Sequence, residues 1–338
     1  MEDPLSVLID NTERRGGNFR RYFRNHFETI TIYLVLLVIA ATGAVLSPDF
    51  IKSQNLLNVL LQAVALGLVS VGQTVVILSG GLDLSVGATI SMVAVYSSGL
   101  MGGRPGIEVI IPVILLTTSM ALVVGLLNSQ LVSKFRITPF IATLATGSMV
   151  QGVVLMYTKR PKGLVSPEWK YFAEGTIGPI PIAVIFFIII VGIAFFILSK
   201  TVLGRYIYAT GGNENASRLS GIRIDRVLIF VYVFSSFMAA LSALFLISRM
   251  GIGDPQVGGL TYQRYDLESI AAVLVGGTVL GGGAGGVIGT VAGVLILTLL
   301  NNVFNLVGVS TFYQWSIKGA IIIGAVAIYR MQRTTRSL

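Results

Sequence analysis

His26 is the only histidine in the 338-residue sequence, and cysteine is absent. Thiol nucleophiles, disulfides, histidine-based zinc sites and Ser-His-Asp triads need side chains this chain does not carry, so these chemistries are excluded. No Gly-x-x-x-x-Gly-Lys-Ser/Thr loop occurs, so the chain cannot cradle nucleotide phosphates in that manner. No catalytic, cofactor-binding or metal-ligating residue is expected, and His26 reads as an interfacial residue. What remains is weaker chemistry. Uncharged amides stand inside long apolar runs: Gln62, Gln73, Asn128, Gln151, Asn301, Asn302 and Asn305. A path for an uncharged polar solute would hold it loosely, through neutral donors and acceptors rather than a charged cage, and these residues are the translocation path candidates. Each can instead be an interhelical hydrogen bond, worth about 0.6 kcal/mol.

A second set comprises structural or gating candidates. Asp83 follows a glycine pair at a helix break, where its carboxylate can cap the amides that open the next helix, aided by Ser85. Asp266 and Glu268 stand near the start of a later helix, where acids complement the dipole. Lys318 is the one basic residue inside an apolar run, so it should pair with an acid or snorkel to the interface. Asp83, Asp266 and Glu268 are all possible partners for it.

These residues must be positioned by membrane helices. The chain is 54% hydrophobic and 12% charged, against about 25% charged in a soluble domain, and its mean hydropathy is +0.83. A crossing helix needs about 20 apolar residues, and such stretches predict an all-α membrane protein of about ten transmembrane helices, near 28–47, 55–79, 84–102, 107–131, 138–157, 179–199, 226–248, 266–278, 284–305 and 312–330. The first run is too long for a signal-peptide core and lacks a small-residue cleavage site, so it should remain as a helix. Arg14, Arg15, Arg20, Arg21 and Arg24 precede it, and most other Lys and Arg fall in the segments then assigned inward, which places both termini in the cytosol. The division is a cytosolic segment 1–27, a transmembrane domain 28–330 with a cytosolic loop 200–226, and a cytosolic tail 331–338. The net charge of +9 is spread over short loops rather than one stripe, so lipid rather than nucleic acid is the expected neighbour.

Glycine, 39 residues in all, shapes the packing. Gly285, Gly289 and Gly293 recur at four-residue spacing and predict close helix contact. Gly281, Gly283 and Gly286 match a dinucleotide fingerprint only by accident, since no acidic residue follows about 20 positions on. Two glycine-rich breaks, 80–87 and 276–286, look related and fall on the same side, which gives no support for an inverted repeat. The outer loop 159–178 carries Trp169, Tyr171 and Phe172, an aromatic surface able to receive an extracytoplasmic partner or to serve as an interfacial belt.

The polar loop 204–225 reads as a docking element. A short helix beginning near Asn213, with Ala216 and Leu219 on one side and Glu214 and Arg218 on another, suits a cytosolic protein better than a lipid surface. The docking residues are Asn213, Glu214, Ala216, Arg218, Leu219, Ser220 and Gly221.

Four separated motifs then carry a resemblance: Gly80-Gly-Leu-Asp-Leu-Ser-Val-Gly87, the loop Gly204-Arg-Tyr-Ile-Tyr-Ala-Thr-Gly-Gly-Asn-Glu-Asn-Ala-Ser-Arg-Leu-Ser-Gly-Ile222, Tyr265-Asp-Leu-Glu-Ser-Ile-Ala-Ala272 and Leu300-Asn-Asn-Val-Phe-Asn-Leu-Val-Gly-Val-Ser310. Together they resemble the ribose-type (ribose/galactose/xylose class) sugar permeases of bacterial ATP-binding-cassette (ABC) importers, within the branched-chain amino acid/ribose permease superfamily. One departure is visible: the family commonly has Tyr-Glu-Leu-Asp where this chain has Tyr265-Asp266-Leu267-Glu268. The resemblance implies the ABC importer permease fold in the bacterial cytoplasmic (inner) membrane. It also implies a second permease subunit, as a homodimer, a cytosolic ABC ATPase that holds the ATP and Mg, and an extracytoplasmic sugar-binding protein. Residues 213–221 would be the coupling helix, through which ATP-driven closure switches the path between outward-open and inward-open states. The chain itself would be neither an enzyme nor a cofactor carrier. The alternative is an ion-coupled secondary transporter of a small polar solute, motivated by the near-membrane carboxylates and glycine-broken helices.

Overall fold

Apolar runs punctuated by glycine and proline fold into a bundle in which several helices begin or end at those residues. The computed structural model describes residues 31–259, 264–317, 319–320 and 323–324. It opens with α1 (Thr31–Leu46) and a short 3-10 helix (Pro48–Ile51), followed by α2 (Ser53–Leu78), α3 (Val86–Met101), α4 (Ile107–Ser133) and α5 (Pro139–Tyr157). Next come α6 (Pro167–Glu174), a two-stranded hairpin of β1 (Thr176–Ile177) and β2 (Ile180–Pro181), α7 (Ile182–Lys200), α8 (Val202–Gly212) and α9 (Glu214–Leu219). The chain then forms α10 (Ile224–Met250), α11 (Tyr265–Val275) and α12 (Val287–Leu306), and residues 311–317 are helical again. Among the described residues, six helices are long and apolar enough to cross a membrane: α2, α4, α5, α7, α10 and α12. Residues 1–30 and 325–338 and Lys318 lie outside the described residues, so the expectations on the two terminal segments and on the Lys318 pairing do too.

Burial separates a central layer from a peripheral one. The apolar stretch of α2 is 83% buried, whereas that of α7, the most apolar of the six, is only 28% buried. A soluble fold would bury its most apolar helix; here that helix faces outward, as lipid requires. The central helices α2, α10 and α12 carry the buried polar residues Ser70, Gln73, Thr74, Ser235, Thr290 and Asn302. Thr74 and Thr290 hydroxyls meet at 2.7 Å across α2 and α12.

The expected helix at 266–278 is present as α11, but with only 11 residues it spans about 16 Å, roughly half of the hydrocarbon layer. The other half is not helical. After α10 ends at Gly251 in a left-handed cap, the glycine-rich segment 251–259 turns back along α3. Gly253 lies against Ala94 and Ser98, and Gly258 against Gly87 and Ile90. Such backbone is tolerated inside a membrane only if its polar groups find partners, and they do: Gly253 and Lys162 exchange both backbone bonds, Gly258 N–H donates to Ser91 Oγ at 3.1 Å, and Gln151 Nε2 donates to the Pro255 carbonyl at 3.0 Å. Periodicity alone does not distinguish a short apolar helix from a long one with a polar lead-in, which is why the sequence predicts a full crossing where α11 supplies about half. The helices α6 and α8 also arise in segments assigned to loops.

The glycine spacing in α12 has the predicted consequence. A β-carbon at Gly289 would run into the carbonyl of Gly276, and one at Gly293 into that of Ala272, so α11 and α12 touch backbone to backbone. Gly289→Ala is expected to destabilise the purified permease by about 1–3 kcal/mol through overpacking, read as a lower thermal unfolding midpoint. Gly192→Ala, whose β-carbon meets open space, is the control that should leave the midpoint unchanged.

Candidate functional site

Between α2 and α3 the chain leaves helical geometry deep inside the bundle, and side chains from four helices replace the lost backbone partners. With its amide oriented to satisfy both groups, Gln73 accepts the Asp83 backbone N–H and donates to the Asp83 carbonyl, each at 3.2 Å. From α5, Thr143 Oγ1 accepts the Leu84 N–H at 3.1 Å and donates to the Leu82 carbonyl at 3.2 Å. The fully buried Asp83 carboxyl accepts the Ser85 N–H at 3.0 Å and the Ser85 hydroxyl at 2.6 Å on Oδ1, and the Ser235 hydroxyl of α10 at 2.8 Å on Oδ2. Asn128 of α4 donates to Ser85 Oγ at 2.8 Å. Asp83 therefore closes a turn onto Ser85, and Ser85 places its hydroxyl on Asp83 without capping α3. The break is tied to α2, α4, α5 and α10 at once. Three buried atoms around it, Asn128 Oδ1, Tyr232 Oη and Ser236 Oγ, have no hydrogen-bond partner among the described residues.

Of the path candidates, most are engaged within the bundle. Gln73 and Asn128 hold the break, and Gln151 holds the segment after α10. Asn302 and Asn55 form a reciprocal amide pair, with bonds of 2.7 and 3.0 Å, that ties α12 to the start of α2. Asn305 Oδ1 accepts from Gln314 Nε2 at 2.9 Å. Gln62 makes no side-chain hydrogen bond and Asn301 Oδ1 is buried without a partner, both among the described residues. Asn302→Leu is accordingly expected to cost about 1 kcal/mol of stability while uptake per folded molecule stays unchanged, a split resolved by measuring thermal unfolding and transport on the same preparation.

Asp266 and Glu268 occupy the first turn of α11, whose N-terminus opens inside the bundle near Gly87. Asp266 Oδ2 lies 3.6 Å from the Arg264 guanidinium, and its Oδ1 is buried without a partner among the described residues.

At the end of the bundle where α4 and α7 finish and α10 begins, α8 leads into α9. Thr201 caps α8 by accepting the Gly204 N–H at 3.1 Å, and Asn213 caps α9 by accepting the Ala216 N–H at 3.0 Å. At the last turn of α8 three glycine segments converge. Gly283 N–H donates to the Leu78 carbonyl at 3.0 Å, and a β-carbon at Gly211 would collide with that same carbonyl. Gly282 packs on Gly211 and Gly80. The two breaks that look alike in sequence are thus in direct contact, and the last turn of α8 sits on both. Tyr208 adds a bond to the Gly285 carbonyl at 2.9 Å; burial pushes its hydroxyl above its ordinary value, so it stays a donor across the physiological range. Ala216, Ser220 and Gly221 are exposed, Leu219 is 90% exposed, and only Ser217 of α9 is buried. Glu214 Oε1 meets both Arg136 and Arg218 at 3.1 Å.

At the opposite end, α6 forms in the aromatic outer loop. Trp169 Nε1 donates to the Leu244 carbonyl at 3.0 Å, and Phe172 packs edge-on against Phe186 and Phe245. Those two aromatics fasten the loop to α10 and α7, which leaves Leu164, Tyr171 and Ile177 exposed.

Thr143, Ser235, Tyr232 and Arg136 were not singled out from sequence. Small hydroxyl residues in apolar helices carry no local signal of their partners, and Ser235 is 152 residues from Asp83. Arg136 looked like one more inward charge.

The chain is similar in sequence to known proteins. Residues 55–326 match the family described as branched-chain amino acid transport system / permease component. The chain is 37% identical to the ribose import permease protein of Haemophilus influenzae, over 87% of this chain and 90% of that one. It is also 37% identical to the ribose import permease protein of Bacillus subtilis, over 92% and 95%, and 32% identical to the galactose/methyl galactoside import permease protein of Escherichia coli, over 91% and 96%. No solved structure matches. A match over this much of the length, joined to a multi-pass helical bundle with a buried break and an exposed capped helix, makes the chain a member of the branched-chain amino acid transport system / permease component family.

Proposed function

We propose that the chain is the membrane permease of an ABC importer that passes a ribose-like monosaccharide across the bacterial cytoplasmic membrane, driven by ATP hydrolysis in a partner subunit. The observation that carries this reading is α9: a capped helix, exposed at its apolar tip, whose neighbour α8 rests on both glycine breaks. A force applied at α9 reaches the breaks through Gly211 without passing through a flexible linker, and the breaks hold α3, α11 and α12. The two states of such a gate differ by small rotations of packed elements, since close-packed interiors switch rather than stretch.

The ten apolar runs and the inward excess of Lys and Arg in the sequence support about ten crossings with both termini cytosolic, one of them discontinuous and made of segment 251–259 followed by α11. A broken helix whose N-terminus opens at mid-depth is a recurring site for solute in transporters, which makes the Asp266 turn a candidate for the path beside Gln62 and Asn301. The permease domain takes in 28–330, with coupling through 200–226. A second permease subunit, an ABC ATPase that binds ATP and Mg, and a sugar-binding protein docking over Tyr171 and its exposed neighbours complete the importer. The chain itself catalyses nothing and holds no cofactor. Family membership does not favour the ion-coupled alternative.

Copurification tests the assignment. The tagged permease should bring down an ATPase, and the binding protein made by the same cell should retain ribose or a close analogue. An ATPase-free complex, or a binding protein indifferent to sugars, would remove it.

A further inference from the structure

We infer that the α4–α5 turn is a second contact for the partner that takes α9, so that the ATPase grips a composite surface of residues 134–138 and 214–221. The inference rests on the reading of α9 as the docking helix. Every residue from Lys134 to Thr138 is exposed, and the turn is joined to α9 by the Arg136–Glu214 ion pair at 3.1 Å. Phe135, 66% exposed, and Leu219, at 90%, are both large apolar side chains presented at this end of the molecule.

The turn is built rather than slack. Arg136 is the one non-glycine residue with a left-handed backbone among the described residues, at φ 57°, a conformation that an L side chain adopts only when its surroundings over-determine it. The surroundings are the bonds that close α4: Phe135 N–H to the Gln130 carbonyl at 3.1 Å and Ile137 N–H to the Leu131 carbonyl at 3.0 Å. This conformation turns the chain sharply after α4 and starts α5 at Pro139.

Charge identifies the occupant. Lys134, Arg136, Arg218, Arg223 and Arg226 are exposed at this end, against two exposed acids, Asp225 between the last two arginines and Glu214, which is already matched by Arg136 and Arg218. A protein groove with an apolar floor for Phe135 and Leu219 and an acidic rim is complementary to that pattern. The turn is also continuous with α9, so one rigid groove can hold both.

The turn has mechanical value as well. Asn128 and Thr143, which hold the break at Asp83 from α4 and α5, lie on the two helices that the turn connects. A partner seated on 134–138 acts on those helices directly, while α9 acts through α8.

The chain has no cysteine, so single cysteines are unique labels. Phe135→Cys, Ile137→Cys and Leu219→Cys permeases would be assembled into the complete importer in vesicles of phosphatidylethanolamine and phosphatidylglycerol and treated with a short bifunctional thiol-amine cross-linker. Cross-links from both Phe135→Cys and Leu219→Cys to the ATPase are expected, with uptake at least fivefold lower in Phe135→Asp. Ile137→Cys, a second position on the turn, guards against a local defect at 135. Cross-linking from Leu219→Cys with none from either turn position would overturn the composite surface and leave the α9 reading standing. Cross-linking from the turn alone would remove the α9 reading on which the composite surface rests, and no cross-link from any position would remove both. Strong quenching of a fluorophore on Phe135→Cys by nitroxide-labelled lipid, unchanged by the ATPase, would assign the turn to the membrane surface and overturn the inference.

Discussion

Asp83→Ala is expected to leave little folded permease in the membrane. The side chain is fully buried and accepts three hydrogen bonds, and each buried donor left without an acceptor costs about 1–3 kcal/mol. The two serine hydroxyls can rotate toward other acceptors, but the Ser85 N–H cannot, and the cavity left by the carboxyl adds its own cost. A loss of about 2–4 kcal/mol follows, a large fraction of what holds a protein folded. Asp83→Asn has nearly the same volume, keeps an oxygen for the Ser85 donors and offers its amide to Ser235 as acceptor. It should therefore recover most of the folded yield. Thermal unfolding of the detergent-purified variants, with yield at constant expression, reads both. An alanine variant as stable as the parent would mean that the break is held by something other than Asp83.

That result bears on how the site was read. Asp83 stood out in the sequence because an acid after two glycines in an apolar stretch is rare and costly. Its expected role, capping the next helix, is the commonest local use of such an acid, and the turn it closes onto Ser85 is a near neighbour of that use. Its partner on α10 could not be read at all. Nothing local distinguishes Ser235 from Ser236, one turned toward the carboxyl and the other left without a partner. The long helices were legible because the membrane sets their length, and Asn213 was legible as a cap because its side chain acts on a neighbour three residues away. The half-length α11 was not, since it is preceded by a segment of bends and turns, 251–259, whose hydrogen-bond partners come from α3, α5 and the outer loop.

Leu219→Asp should have the opposite profile, intact fold and lost transport. Nothing in the permease packs on a side chain 90% exposed at the end of a six-residue helix, so its removal has no core to disturb. In the assembled importer the same side chain is proposed to sit on the floor of the ATPase groove, where burying a carboxylate opposite an apolar surface costs at least as much as losing a hot spot. A loss of about 2 kcal/mol corresponds to roughly 30-fold weaker docking. The expected outcome is an unchanged unfolding midpoint, weak ATPase recruitment and uptake near background. Normal recruitment and uptake would take α9 out of the interface. Glu214→Gln differs in kind: it releases Arg136 and Arg218 from an exposed pair worth little in stability, so its effect should appear in coupling rather than in folding.

Reconstitution separates the account from its competitor most directly. Purified permease and ATPase would be placed in proteoliposomes with ATP enclosed, labelled ribose and the binding protein outside, and ionophores present to collapse proton and sodium gradients. Uptake should proceed with ATP, stop when the ATPase is made unable to hydrolyse it, and be unaffected by the ionophores. Uptake that continues without hydrolysis and disappears when the gradients collapse would contradict the account.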